Sequence, residues 1–524
     1  MIDHFPFYLC LVVTILLLIM LANRLRIAYP ILLVTGGLLI SFVPGIPQLH
    51  IESELIFIIF LPPLLYDAAW QISWKELWRW RRIISSFAFP IVFITALAVA
   101  LVANHFIPGF SLALGFLLGG IVSPPDAVSA GAILKFVKVP KTVASILEGE
   151  SLLNDASSLI IFRFALIAVG TGQFIWHQAA LTFVWMVLGG IASGLLIGWL
   201  IMKMHRFLPK DANMHIALTL VTPYAMYISA EALGSSGVLG VVAGGLLLSN
   251  RRLLFLDSTV RLRNVNVWES LSFLLNGLVF MLIGLTLPQI TAELGNTSLG
   301  TAIGYGLLIT GILVLARLLS AFGAVLFTLV ARNYITVADA RNPGVRGPFV
   351  IGWAGMRGVV SLAAALSIPT HLASGAVFPQ RNLILFITFV VILTTLLVQG
   401  LTLPFIIRRL RLVERDSVMT EEEVFIALRK KLNQVAIDFL HSNYSNELNA
   451  YPALQQMEQK WRLNTIDSKE NQLPDHSRDI YQEILEQQRQ WLIQKNHEKN
   501  TLSEEVVRRH LLYLDLEEEK LKFL

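Results

Sequence analysis

Apolar stretches long enough to cross a bilayer recur along this chain from Phe5 to Ile407. A run of about 18 or more apolar residues matches the hydrocarbon thickness when coiled as a helix. Barrel strands would instead alternate over about ten residues, so the pattern selects helices. Composition agrees, with 55% of the 524 residues hydrophobic and 15% charged. The expected fold is an all-α polytopic membrane protein embedded in the lipid bilayer. Cys10, the one cysteine, lies in an apolar run, which excludes an intrachain disulfide and a cysteine-built zinc site. Asp3 and His4 stand where a leader would carry Lys or Arg, and no small-residue cleavage site follows. The first apolar run therefore reads as a spanning helix.

About thirteen spans are expected, at approximately 5–22, 29–43, 55–70, 83–106, 110–136, 150–169, 178–202, 214–233, 238–249, 271–290, 302–330, 349–371 and 383–407. Alternate loops are basic. They hold Arg24 and Arg26; Lys75, Arg79, Arg81 and Arg82; Lys135, Lys138 and Lys141; Lys203, Arg206 and Lys210; Arg251, Arg252, Arg261 and Arg263; and Arg332, Arg341 and Arg346. The intervening loops carry almost no Lys or Arg. Basic loops stay cytoplasmic, so the N-terminus is expected outside and everything after the last span inside. The net charge of +5 is accounted for by these loops and calls for no nucleic-acid partner. Residues 1–410 form the expected transmembrane domain, and residues 411–524, polar and of mixed charge, the expected cytoplasmic helical tail. Helical stretches are expected there over 420–440 and 480–496; the alternative is partial disorder, especially around residues 464–477. A regulatory role is one reading of this tail.

Two spans look interrupted. The fifth contains GGIVSPPDAVSAG from Gly119 to Gly131, and the twelfth GWAGMRGVVS from Gly352 to Ser361. Seven spans apart, they run through the membrane in opposite directions. Paired breaks in two inverted-topology repeats mark a transporter site near the midplane. Gly and Pro are also common in ordinary membrane helices. Asp126 in one break and Arg357 in the other favour a site.

The sixth span opens with EGESLLNDASSLIIFR, from Glu148 to Arg163. Ionisable groups at membrane depth cost roughly 3 kcal/mol each and mark ion or proton pathways. On a helix, Glu150 and Asn154 share one face, and Ser151 and Asp155 the adjacent stripe. This oxygen-rich patch suits a hard cation; acids and amides at a helix start also serve as caps. Asp155 is the expected cation and proton ligand. Burial penalises its bare charge, so a proton and a monovalent cation compete to neutralise it. If it crosses only when neutralised, exchange is obligatory. With Asn154 adding no second titrating group, one-for-one, electroneutral exchange fits best. Asp126 either orients the site or caps the helix end created by Pro124 and Pro125, and Ser123 offers an oxygen. Arg317 is a candidate partner for Glu150. Arg357 can offset helix-end dipoles, and Arg163 either has a structural role or snorkels to the surface. Asp67, Glu231 and Glu269 read as interfacial caps, and Trp70, Trp74, Trp78 and Trp80 as an aromatic belt. His177, His215 and His371 lack metal-ligand spacing.

These motifs resemble the monovalent cation:proton antiporter-1 family, the sodium/proton exchangers of the NhaP and NHE type. Glu150-Ser-Leu-Leu-Asn154-Asp155 is similar to its ESLxND motif, and Phe60–Ala69 to its LPPxxLDA segment. Ala316-Arg317-Leu-Leu is similar to its arginine-bearing eleventh span, Gly355-Met-Arg357-Gly358 to its GxRG motif, and Ser123–Ser129 to its TDPVA segment. Pro125 stands where many members have Thr, and Ala127 where they have Pro, which removes a threonine from the site. The resemblance covers roughly residues 5–410. It implies Asp155 as cation and proton ligand, Glu150 paired with Arg317, and Asp126 as site organiser. It also implies an elevator-like core moving against a dimerisation domain, hence a homodimer, and electroneutral exchange. The expected function is antiport of sodium, or of potassium or lithium, against protons, without a cofactor, in a bacterial inner membrane. A cation channel is the runner-up, but the chain has no repeated filter sequence. An intramembrane hydrolase would need motifs such as GxSxG or HExxH, which are absent.

Overall fold

The computed structural model describes residues 5–25, 27–43, 53–134, 137, 139–172, 176–209, 211–292, 294, 297–331, 344–372, 375–412, 421–466, 475–498, 510–511 and 513–518. The basic residues Arg26, Lys135, Lys138, Lys210, Arg332 and Arg341 lie outside this set, as do Asp3 and His4. The chain divides into two compact units, Met1–Glu414 and Arg415–Leu524.

The first unit is built from helices. In order they are α1 (Phe5–Leu25), α2 (Tyr29–Ser41), α3 (Ser53–Gln71), the short α4 (Trp74–Arg79) and α5 (Arg81–Phe106). Then come α6 (Leu112–Val122), α7 (Ala127–Leu134), α8 (Lys141–Thr171), α9 (Trp176–Phe207), α10 (Ala212–Ala232) and α11 (Gly237–Phe255). The last are α12 (Ser258–Ala292), α13 (Leu299–Ala331), α14 (Arg346–Trp353), α15 (Val359–Leu366) and α16 (Arg381–Leu410). Among the described residues, eight helices contain stretches long and apolar enough to cross a membrane, and α2 and α6 are shorter apolar helices. Their outward faces carry exposed Leu, Val, Phe and Trp, such as Leu181, Trp185, Leu188 and Leu319. Lipid tails cover such a surface without cost, whereas water would not.

The helices sort into two packing groups. Helices α5, α6, α8 and α13 to α16 pack chiefly on one another; α1 to α3 and α9 to α12 form the second group. Close approach within the second group depends on small residues. A Cβ at Gly194 of α9 would sit 2.0 Å from the Gly240 carbonyl oxygen of α11. Only glycine lets these backbones touch.

Two corrections concern helix limits. The sixth span begins as a helix at Lys141, not at Glu150. Lys141–Leu147 buries Val143, Ile146 and Leu147, so a packed amphipathic segment carries the helix on past the apolar run. Likewise α12 starts at Ser258 rather than near 271, burying Val260, Asn264 and Trp268 along a mixed-polarity face.

The second unit holds α17 (Glu421–Asn443), α18 (Ser445–Ala450), α19 (Pro452–Ile466) and α20 (Asp475–Glu498). The two stretches expected at 420–440 and 480–496 are helical over slightly longer ranges. Of the stretch where partial disorder is the alternative, 464–466 and 475–477 are helical, while residues 467–474, like Thr420, lie outside the described set. Among the described residues of this second unit, Ile437, Leu440, Leu448 and Leu485 are buried apolar residues. Surface ion pairs accompany them: His441 Nε2 lies 2.8 Å from Glu458 Oε1, and Arg462 Nη2 2.6 Å from the same oxygen. These partners hold the Glu458 carboxyl below its usual range.

Candidate functional site

Both interrupted spans are broken in the structure. Helix α6 ends at Val122 and α7 begins at Ala127; α14 ends at Trp353 and α15 begins at Val359. Pro124 and Pro125 offer no N–H to continue the first helix, which explains the break locally. The two breaks meet. The Asp126 N–H donates to the Met356 carbonyl over 2.7 Å. A Cβ at Gly358 would lie 2.0 Å from Asp126 Oδ2, so this contact requires glycine. Arg357, 0% exposed, reaches back across the crossing. Its Nε donates to the Val122 carbonyl at 2.7 Å and its Nη2 to the Ser123 carbonyl at 3.2 Å. Nη1 donates to the Gly355 carbonyl. The guanidinium thus satisfies carbonyls orphaned at the end of α6, where the helix dipole is negative. Its own backbone N–H donates to Thr395 Oγ1 at 3.3 Å, beside a π-helical turn over Thr395–Gln399 in α16.

Asp126 caps α7. Its Oδ2 accepts from the Ser129 N–H at 3.2 Å and from Ser129 Oγ at 2.5 Å. That is N-cap geometry, so of the two roles open to Asp126 the cap is the one visible in the hydrogen bonds. Ser123 turns its hydroxyl back to the Gly119 carbonyl, 2.5 Å away, leaving its own carbonyl for Arg357.

Helix α8 lays its polar stripe against this crossing. Ser151 Oγ and Asn154 Nδ2 both donate to the Pro125 carbonyl, each at 3.2 Å. Ser157 Oγ donates to the Ala88 carbonyl within a π-helical turn, Phe87–Ile91, that contains Pro90. Glu150 forms a two-pronged pair with Arg317 of α13: Nη1 to Oε1 is 2.6 Å and Nη2 to Oε2 is 2.9 Å. The Arg317 side chain is 3% exposed and that of Glu150 0%. Phe87 covers the guanidinium at 5.9 Å. Because α8 starts at Lys141, none of these residues lies in its first turn, which removes the capping reading of the acidic stretch.

Asp155 is different. It is buried, and among the described residues its carboxylate meets no hydrogen-bond donor. Asp126 lies close enough to interact with it through space. Next to it, the buried Asn154 Oδ1 also lacks a hydrogen-bond partner. Unpartnered buried oxygens are costly. A bare cation, which brings charge and needs oxygen ligands, would satisfy both; so would a proton on the carboxylate. No group of three or more His, Cys, Asp or Glu arranged for a metal ion occurs among the described residues.

Other residues singled out by sequence lie apart. Asp67 accepts from Gln71 Nε2 at 3.0 Å within α3. The tryptophan cluster splits: Trp74 and Trp78 are exposed and stack at 6.0 Å, but Trp70 and Trp80 are buried. Trp70 packs on Tyr66, and Trp80 Nε1 donates to Glu76 Oε2, so these two are structural and not part of a belt. His215 is buried against His205, with Nδ1 atoms 2.8 Å apart. His371 is exposed, and the side chain of His177 lies outside the described residues. Arg163 forms an ion pair with Glu231 of α10 in place of snorkelling. Sequence reading missed Thr395, Ser129 and Ser157. Each holds a site residue or a break through a contact distant in sequence or confined to a hydroxyl, and no charge or proline flagged them.

The family model for the transmembrane part of sodium/hydrogen exchangers matches residues 11–409. The chain belongs to the sodium/hydrogen exchanger family. Family members are transporters, and this one is an integral membrane protein. A sodium, potassium, lithium and rubidium/H(+) antiporter of Bacillus subtilis is 37% identical over 390 residues, covering 72% of this chain. The match spans 58% of that relative's length, and 58% also for the corresponding Bacillus pumilus protein. The low-affinity Na(+)/H(+) antiporter NhaS1 of Synechocystis is 32% identical over 428 residues, covering 81% of this chain and 77% of that one. The solved structure of the sodium proton antiporter MjNhaP1 from Methanocaldococcus jannaschii superposes with a TM-score of 0.61 at 20% identity. It covers 78% of this chain and 99% of that one, and so shares the fold.

Proposed function

We propose that this chain is a secondary antiporter that exchanges a monovalent cation, foremost sodium, for a proton across a bacterial inner membrane. The observation that carries the reading is Asp155, which among the described residues is a buried carboxylate without a donor, beside the unpartnered Asn154 Oδ1. Glu150, Arg357 and Asp126 each have partners that neutralise or cap them. Asp155 alone among these charged site residues is left to be neutralised by cargo. Asn154 supplies an amide oxygen, Ser151 and Ser123 are further oxygens at the crossing, and Asp126 shapes the site from the break.

In this mechanism the protonated or cation-loaded Asp155 lets the site cross, and the bare carboxylate does not. One cation then replaces one proton. The two packing groups provide the moving parts: an elevator-like core of α5, α6, α8 and α13 to α16 against a dimerisation scaffold of α1 to α3 and α9 to α12. Inverted repeats place the two breaks at the midplane of about thirteen spans. The N-terminus faces outward, residues 411–524 form a cytoplasmic tail that carries no site residue, and the working unit is a homodimer.

The test is cation-induced dequenching of a pH dye in proteoliposomes, over sodium, potassium, lithium and rubidium, the ions in the Bacillus subtilis relative's name. Exchange with at least one of them, unmoved by a valinomycin-set potential, is expected. A potential acts with about 2.3 kcal/mol per charge per 100 mV, so transport driven by potential alone would contradict one-for-one exchange.

A further inference from the structure

The pair Arg163–Glu231 joins the two packing groups. Arg163 lies on α8, two helical turns beyond Asp155, and Glu231 lies at the end of α10. Both ends are remote from the basic stretches that precede α8 and α10. Glu231 divides its carboxylate between the groups. Oε1 accepts from the Gly237 N–H at 3.0 Å, at the start of α11 and within its own group. Oε2 takes Arg163 from the other group. A Cβ at Gly237 would come within 3.0 Å of that same Oε1, so glycine there leaves the carboxylate room. The paired side chains are 40% and 28% exposed, so water can replace either partner when they separate.

Resting on the exchanger reading above, we propose that Arg163 and Glu231 form a latch between the helix bearing the ion site and the scaffold. The latch holds the face remote from the basic loops closed and parts in each transport cycle. Its placement explains why a charge stands on α8 beyond the ion site: a pair within one group would ride along with any sliding motion, whereas this one must break. Partial exposure suits a reversible contact. A desolvated pair such as Glu150–Arg317 would be too costly to part at every turnover, and an exposed one is worth little enough to open thermally. Both residues are positioning residues, since neither touches the Asp155 oxygens.

The experiment uses the full chain in proteoliposomes, with the exposed Cys10 changed to Ser. Arg163→Cys with Glu231→Cys is joined by a cleavable bifunctional thiol reagent long enough to span the two positions. Exchange is expected to fall to the protein-free background on linking and to return on cleavage. Linked protein that exchanges at its unlinked rate would overturn the latch. A second set of variants needs no linker. Arg163→Gln and Glu231→Gln are expected to change the maximal rate about two- to fivefold, the range for a partly exposed pair. The exchanged pair, Arg163→Glu with Glu231→Arg, is expected to restore it. A swapped pair that inserts normally but behaves no better than the single changes would also overturn it. If the Cys10→Ser parent moves no cation against protons, the exchanger reading fails instead, independently of the latch.

Discussion

Glu150 and Asp155 sit five positions apart on α8, and both are buried. Glu150 is gripped by both terminal nitrogens of Arg317, under the ring of Phe87. Among the described residues Asp155 meets no donor, and its neighbour Asn154 leaves Oδ1 without a partner. The difference follows from what faces each of them. Glu150 points at α13, where a fixed cation is part of the fold. Asp155 lies near Asp126 of the crossing, and there the donors are already spent on carbonyls, those of Arg357 on Val122 and Ser123 and those of Ser151 and Asn154 on Pro125. A charge satisfied within the fold stabilises it. A charge left unsatisfied makes the protein depend on something that comes and goes.

Exchange should therefore respond most strongly at Asp155. Asp155→Asn is expected to abolish cation-coupled proton movement, down to the protein-free background, while insertion and thermal stability are kept. The amide removes an uncompensated charge and adds no bulk. Normal coupled transport by this variant would show that the two carboxylates have been assigned the wrong way round.

Glu150 should show the opposite pattern, with loss of stability leading. Removing one partner of a buried pair strands the other, at about 3–5 kcal/mol. Glu150→Gln and Arg317→Gln are each expected to lower thermal stability sharply, and the double change less than their sum. Additive losses in that cycle would mean the two do not depend on each other.

Next in size comes the crossing of the two breaks. Gly358→Ala drives a methyl group into Asp126 Oδ2, at 2.0 Å before relaxation. Overpacking of this kind costs about 1–3 kcal/mol. Reduced exchange with a modest fall in melting temperature is expected, and wild-type values on both measures would place the Asp126 contact outside the working site.

The smallest effect is expected from the tail. Every residue of the crossing precedes Ile407, so a chain ending near Arg415 should insert and still exchange, with changes confined to maximal rate or working pH range. A truncated protein that inserts but exchanges no cation at any pH would make the tail part of the mechanism.

Much of this arrangement was legible in the amino-acid sequence, because it rests on short spacings. Positions 150, 151, 154 and 155 share adjacent stripes on any helix, and prolines at 124 and 125 break one. The meeting of the breaks was not legible. Arg357 binds carbonyls more than 230 positions away, at Val122 and Ser123, and backbone acceptors leave no mark on residue type. The start of α8 was hidden because Lys141–Leu147 is amphipathic, so hydropathy placed the boundary where the polar stripe begins. Arg163 looked like an anchor because its partner, Glu231, lies two helices further on and carries no motif of its own.

The competition at Asp155 can be read without transport. Cation binding to the purified protein is followed by calorimetry or tryptophan fluorescence across a pH series. If one proton and one cation compete for one carboxylate, apparent cation affinity falls about tenfold per pH unit on the acid side of the titration, and each cation bound releases one proton. Asp155→Asn is expected to lose this dependence together with the binding. Cation affinity that is flat with pH, or that keeps its full pH dependence in Asp155→Asn, would contradict the assignment of Asp155 as the shared site.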